Sequence, residues 1–139
     1  HNLKHYFKNE GIIINGGIKT TEEIKNHLLK VDGVMIGRAI YQSPYFLAEI
    51  EREIFKNNNV PSRAEVMEKL IPYIQEQTSK GAQLNHIMRH TVGLFHGQKG
   101  SKIWKQYLSE NMCIRDADLN KVNHIMDHVK KTNPMSLER

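Results

Sequence analysis

The stretch from Gly11 to Arg38, GIIINGGIKTTEEIKNHLLKVDGVMIGR, constrains the fold more than any other part of the chain. Ile12-Ile13-Ile14 is too short for a helix and rich in β-branched residues, so it reads as a strand buried on both faces. Asn15-Gly16-Gly17 stops it, and two glycines let the backbone turn sharply and bring N–H groups close to a ligand. Thr20 and Glu23 then form a capping box, predicting a helix that runs to about Lys30. A second apolar run, Val34-Met35-Ile36, ends in Gly37-Arg38. The order of strand, glycine turn, helix, strand, glycine and cation predicts a right-handed β-α-β unit with both strand ends on one edge.

Such an edge suits an anion. Backbone N–H groups of Gly16, Gly17 and Gly37, with the Arg38 guanidinium, can converge on one dianion, as in the phosphate sites after the last two strands of (β/α)8 barrels. The same residues also suit plain tight turns with Arg38 paired to a carboxylate. Spacing alone leaves both readings open.

A complete (β/α)8 barrel takes about 250 residues, and this chain has 139. It also opens on His1, so the expectation is the carboxyl-terminal portion of a longer protein, with an upstream barrel as its partner. No apolar run approaches the roughly 18 residues of a membrane span, and HNLKHYFKNE is too polar for a secretory signal. A cytoplasmic protein without a membrane partner is expected. The single cysteine, Cys113, rules out an internal disulfide and has no histidine close in sequence to activate it.

Beyond Arg38, Ser43-Pro44 predicts the start of a helix over Tyr45 to Phe55, with Phe46, Ile50 and Ile54 on one stripe. The polar run Lys56 to Pro61 reads as a linker, separating residues 1–55 from 62–131. No strand signal follows it. Ser62 and Glu65 form a second capping box, opening a helix with Val66, Leu70, Tyr73 and Ile74 inward, kinked at Pro72 and ended by Gly81. A third helix is expected from Leu84 to His96, with Leu84, Ile87, Met88, Thr91, Leu94 and Phe95 inward. A fourth, capped by Ser101, is expected from Lys102 to Met112 on a stripe of Ile103, Trp104, Tyr107 and Leu108. Asp118 would cap a fifth, Leu119 to Lys131, with Leu119, Val122, Ile125, Met126 and Val129 inward. Four amphipathic helices with short connections predict a bundle, followed by a loose tail from Thr132. The fold class is thus α/β and then all-α.

The charge is unevenly placed. Residues 1–79 hold ten Lys+Arg against ten Asp+Glu, whereas residues 80–131 hold nine against four, which is the whole net +5. Gln77 to Ser109 contains no acidic residue but carries Lys80, Arg89, Lys99, Lys102 and Lys105. A one-signed field of this kind attracts a polyanion, nucleic acid above all; a solvated basic face is the alternative. His86 and His90, and His124 and His128, are i, i+4 pairs, yet no acidic residue follows His86 or His124 and no cysteine pair accompanies them. No metal site is therefore expected, and His90 with His86 and His96 extends the basic face.

The runs IINGGIKT, DGVMIGRAIYQSPYFL, REIF, PYI and HIMRHTVGLFHGQKGSKIWKQYLSEN resemble, in this order, the carboxyl-terminal part of the bacterial tRNA-dihydrouridine synthases. They are most similar to the A type, which acts on D-loop uridines 20 and 20a. The resemblance implies an FMN-dependent TIM (β/α)8 barrel followed by helices that grip tRNA. Asn15, Gly16 and Gly17 would follow the seventh strand and Gly37-Arg38 the eighth, together holding the FMN phosphate. tRNA would lie on Lys102, Lys105, Arg89, His90 and Lys99. Lys102 and Lys105 stand where the family has arginines, keeping the charge but losing bidentate recognition. The implied reaction is reduction of the uracil C5–C6 bond, with NADPH as the source of electrons. Its catalytic cysteine matches nothing here, so no catalytic residue is assigned and the isolated chain is expected to be inactive. Two rivals remain: the tail of another FMN- or phosphate-binding barrel oxidoreductase, and a non-enzymatic helical RNA-binding module.

Overall fold

A computed structural model describes residues 3–111 together with Asn120, Asn123, His124 and Asp127. The chain divides into two compact units, His1–Asn58 and Asn59–Arg139.

The first unit is built on two short parallel strands, β1 (Ile13–Asn15) and β2 (Gly33–Met35), in the register Ile13 to Gly33, Ile14 to Val34 and Asn15 to Met35. Helix α1 (Leu3–Tyr6) precedes them, and α2 (Thr21–Leu28) connects them. The capping box forms as the sequence predicts: Thr20 Oγ1 accepts from the Glu23 N–H at 3.2 Å, and Glu23 Oε2 accepts from the Thr20 N–H at 3.1 Å. After β2 come α3 (Arg38–Gln42) and α4 (Phe46–Glu53).

Side chains alternate across a strand, so Ile14 and Val34 share one face and Ile13, Asn15 and Met35 the other. The first face packs with Ile36, Ala39, Ile40 and Ile54 against Ile18, Ile24, Phe46 and Ile50. The second is open, with Ile13 68 % exposed. The expectation of a strand buried on both faces is therefore corrected: only one side of this sheet is covered by described residues. A second correction concerns Ser43, which ends α3 rather than capping a long helix. Its carbonyl and that of Pro44 accept from the Phe46 and Leu47 N–H groups in a tight turn, and α4 starts only there.

Three carboxylates fasten this unit. Asp32 Oδ2 accepts from the Ile12 N–H at 2.8 Å and from Lys4 Nζ at 2.6 Å. Glu53 Oε2 joins α4 to α2 by accepting from Lys25 Nζ and Thr21 Oγ1, both at 2.8 Å. These bonds favour the charged forms. Asp32 is held below its usual value by the Ile12 amide and then Lys4, Glu53 by Lys25 and then Thr21, and Glu23 by the Lys19 and Thr20 amides. A carboxyl depressed in the folded state stabilises above its unfolded value and loses that contribution as pH falls through the folded one. Unfolded carboxyls titrate near about 4, so the melting temperature should hold steady from neutral pH to about 5 and fall below about 4. In Glu53→Gln the acid-induced fall, read by circular dichroism, should be smaller; an unchanged profile would remove Glu53 from this account.

The second unit opens with α5 (Arg63–Ser79), whose capping box is again formed: Ser62 Oγ accepts from the Glu65 N–H and Glu65 Oε2 from the Ser62 N–H. Pro72 sits inside this one continuous helix. Ala64, Met67 and Ile74 are its buried residues, while Tyr73 is 49 % exposed. Of the expected stripe Ile74 is buried, Val66 and Leu70 are half-buried and Tyr73 is exposed, and Ala64 and Met67 on the neighbouring stripe complete the buried face. The expected third helix is broken. It is helical as α6 (Leu84–Met88), tightens to a 3₁₀ turn over Arg89–Thr91, and continues as turns. At Thr91 the carbonyl accepts from the Leu94 N–H at 2.9 Å, an i, i+3 bond, and from Trp104 Nε1 at 3.0 Å, while Thr91 Oγ1 donates to the Met88 carbonyl at 2.7 Å. Leu84, Met88, Thr91, Leu94 and Phe95 are nonetheless buried as the stripe requires, and Ile87 is half-buried.

Helix α7 runs over Ser101–Asn111, with Trp104 and Leu108 buried and the Gly100 carbonyl receiving the Trp104 N–H at 2.9 Å. Ser101 is inside the helix and not its cap. Of the expected fifth helix, Asn120, Asn123, His124 and Asp127 are described and helical, while its cap Asp118 and its stripe of Leu119, Val122, Ile125, Met126 and Val129 lie outside the described residues. So do Cys113, His128 and the tail from Thr132.

Candidate anion and nucleic-acid sites

The carboxyl ends of β1 and β2 open into one hollow of about 530 Å³, lined by Asn15, Gly16, Gly17, Ile18, Lys19, Met35, Ile36, Gly37, Arg38, Ala39 and Gln42. All five residues expected at the anion corner therefore meet, although 20 positions separate Gly17 from Gly37. Parallel pairing brings them together, because it puts the ends of both strands on the same edge. Gly16 (φ +126°) and Gly17 (φ +72°) adopt backbone conformations that side chains rarely tolerate, and a Cβ built on either meets nothing within 4 Å. The glycines thus shape the turn and leave open space before it.

Two polar lining residues escaped the sequence reading, Lys19 and Gln42. Lys19 follows the glycine turn, and its N–H donates to Glu23 Oε2 at 2.7 Å. The carboxylate of the capping box therefore fixes the loop that carries this second cation. The reciprocal Thr20 and Glu23 pattern was a legible signal for that anchoring; Gln42, one turn along α3 from Arg38, had none.

In the second unit, Lys99, Lys102, Lys105, Arg89 and His90 are all exposed. Arg89 and Lys105 line a hollow of about 430 Å³ with Asn85, His86, Val92, Leu108 and Ser109. Lys99, Lys102 and His90 lie outside that lining. Among the described residues Lys99, Lys102 and Lys105 make no ion pair, whereas Lys80 is held by Glu76. Arg89 Nε reaches His90 Nε2 at 3.3 Å. The described residues contain no cluster of three metal-binding side chains and no helix long and apolar enough to cross a membrane.

A family model described as dihydrouridine synthase (Dus) matches residues 2–130. The chain belongs to the dihydrouridine synthase family. It is 46 % identical over 130 residues to the tRNA-dihydrouridine(20/20a) synthase of Haemophilus ducreyi, covering 93 % of this chain and 40 % of that protein. To the enzyme of the same name from Vibrio parahaemolyticus it is 49 % identical over 112 residues, 80 % of this chain and 34 % of the relative. To that of Escherichia coli K12 it is 43 % identical over 127 residues, 91 % and 37 %. The chain thus spans no more than two fifths of these dihydrouridine synthases. Both hollows fall inside the matched residues.

Proposed function

We propose that this chain serves as the carboxyl-terminal part of an FMN-dependent tRNA-dihydrouridine synthase that reduces D-loop uridines 20 and 20a to 5,6-dihydrouridine with NADPH. β1 and β2 would be strands seven and eight of its TIM barrel, in a domain ending near residue 55, and residues 62–131 its tRNA-binding helices. The observation that carries this reading is the shared hollow at the ends of two parallel strands in a member of this family.

The residues present fit a phosphate monoester. Gly16, Gly17 and Gly37 line the hollow, the first two with open space before them, so their main-chain amides are available to a phosphate, and Arg38 can offer a bidentate fork to two phosphate oxygens. Lys19 adds a second cation, anchored through Glu23. Bound there, FMN would supply hydride transfer to the pyrimidine ring. The work of this chain is to hold the cofactor's phosphate end and to bring the RNA to it. A net positive helical face raises the local concentration of tRNA and positions it through phosphate contacts.

In the full-length protein carrying this stretch, Arg38→Ala should weaken FMN retention roughly ten- to a hundredfold, the worth of a charge-assisted bidentate contact. Equilibrium dialysis with flavin absorbance measures it. Unaltered FMN affinity in Arg38→Ala, or a full-length protein that consumes NADPH without forming dihydrouridine in tRNA, contradicts the reading.

A further inference from the structure

The hollow of the second unit offers more than charge. Arg89 lies one turn along from His86, and Lys105 approaches from α7, which gives the rim its cations. Val92 and Leu108 give the same hollow apolar walls. A phosphate backbone crossing a basic face needs no such walls, because a cation on an open surface attracts it equally well. A flat heterocycle does need them. Single-stranded RNA is recognised by splaying a base out, packing its face on apolar or guanidinium planes and bonding its edge.

Asn85 is the second observation. Its Oδ1 is shut off from solvent and accepts no hydrogen bond among the described residues, a costly state for an amide oxygen. Asn85 lines this hollow. With Oδ1 sealed, the polar group that Asn85 can offer the hollow is its Nδ2 donor pair, and a half-turn of the amide about its last torsion would present the oxygen instead. The Watson–Crick edge of a base carries both an N–H and an acceptor. The volume, about 430 Å³, falls in the range of sites that enclose small organic ligands, about 300–1,000 Å³.

We propose that this hollow seats one unpaired nucleotide of an RNA strand, its base between Val92 and Leu108, its edge on the Asn85 amide and its phosphate on Arg89 and Lys105. This rests on the reading of these helices as a tRNA-binding face and adds a base subsite to it. Asn85 then distinguishes a splayed nucleotide from a passing phosphate, which the lysines alone cannot do.

The test is an NMR titration of the full-length protein carrying this stretch, isotopically labelled at asparagine and valine, with uridine 5′-monophosphate and, in parallel, ribose 5-phosphate. The nucleotide should move the Asn85 side-chain amide and the Val92 methyl signals, and the base-free sugar phosphate should leave them in place. Asn85→Ala should weaken binding of the nucleotide and of a short oligouridylate roughly tenfold, as loss of a buried hydrogen bond predicts, without changing the affinity for ribose 5-phosphate. Equal shifts from both ligands reduce the hollow to an anion site and overturn the proposal. So do nucleotide-induced shifts confined to other residues. Should Asn85→Ala fail to fold, the titration of the unaltered chain decides alone. Salt-sensitive tRNA binding with silent Asn85 and Val92 signals removes the subsite only, whereas absence of tRNA binding removes the wider reading with it.

Discussion

Trp104→Ala is expected to destabilise the second unit by about 3–5 kcal/mol, the range for deleting a fully buried large aromatic. Trp104 is completely buried and meets Phe95 edge to face, with ring centroids 5.1 Å apart and planes at 61°. Its indole N–H also reaches the Thr91 carbonyl at 3.0 Å. The substitution therefore empties the space beside Phe95 and removes the bond that ties α7 to the broken third helix. Small domains have only about 5–15 kcal/mol in hand, so a loss of this size moves the unit close to unfolding at physiological temperature. Trp104→Phe should cost less, because a ring is retained against Phe95 and the Thr91 carbonyl still receives the Leu94 N–H. Tyr73→Ala is the control: Tyr73 is 49 % exposed, and surface changes usually stay within about 0.5 kcal/mol. Urea unfolding followed by far-ultraviolet circular dichroism separates the three. A loss below about 1 kcal/mol for Trp104→Ala would show that this side chain does not organise the unit.

The same tryptophan marks the limit of what the sequence could reveal. Both capping boxes were legible because their donors and acceptors lie three residues apart, and a four-residue window contains the whole cause. The meeting of Asn15, Gly16 and Gly17 with Gly37 and Arg38 in one hollow was legible for a related reason. A strand that ends in glycines, a helix and a second strand that ends in Gly-Arg can place both ends on one edge only if the strands run parallel. The break after Met88 was not legible, because periodicity carries no record of backbone bonds or of a partner such as the indole N–H that reaches the Thr91 carbonyl from thirteen residues away. Periodicity in this segment was correct about which residues are buried and silent about which backbone bonds they make. In α5 the apolar residues fill two adjacent stripes, and the choice between Tyr73 and Met67 belongs to neighbours that periodicity does not see. The open face of β1 shows the converse. Ile13 is as apolar as Ile14, yet only the Ile14 side meets α2 and α4 residues in the core. Asn85 carried no signal at all: an asparagine between Leu84 and His86 is unremarkable until the fold buries its oxygen.

Reversing two charges on α7 should have the largest effect on RNA. Lys102→Glu with Lys105→Glu replaces two exposed cations, unpaired by described residues, with anions on a stretch that has no acidic residue of its own from Gln77 to Ser109. Each phosphate contact that is lost removes released counter-ions, and each new carboxylate repels the backbone. Affinity for unmodified tRNA at low salt should fall about a hundredfold, and the slope of log affinity against log salt should become shallower by roughly one to two units. The fold should be spared, because both side chains point to solvent and the buried stripe of Trp104 and Leu108 is untouched. Lys102→Arg with Lys105→Arg separates charge from geometry. The guanidinium fork keeps the charge and adds bidentate contacts, so the salt slope should stay where it is while affinity rises. Fluorescence anisotropy of labelled tRNA across a salt series measures both quantities. If the double reversal leaves affinity and slope unchanged, RNA does not lie on this face, and the positive field of residues 80–131 serves only to bind counter-ions.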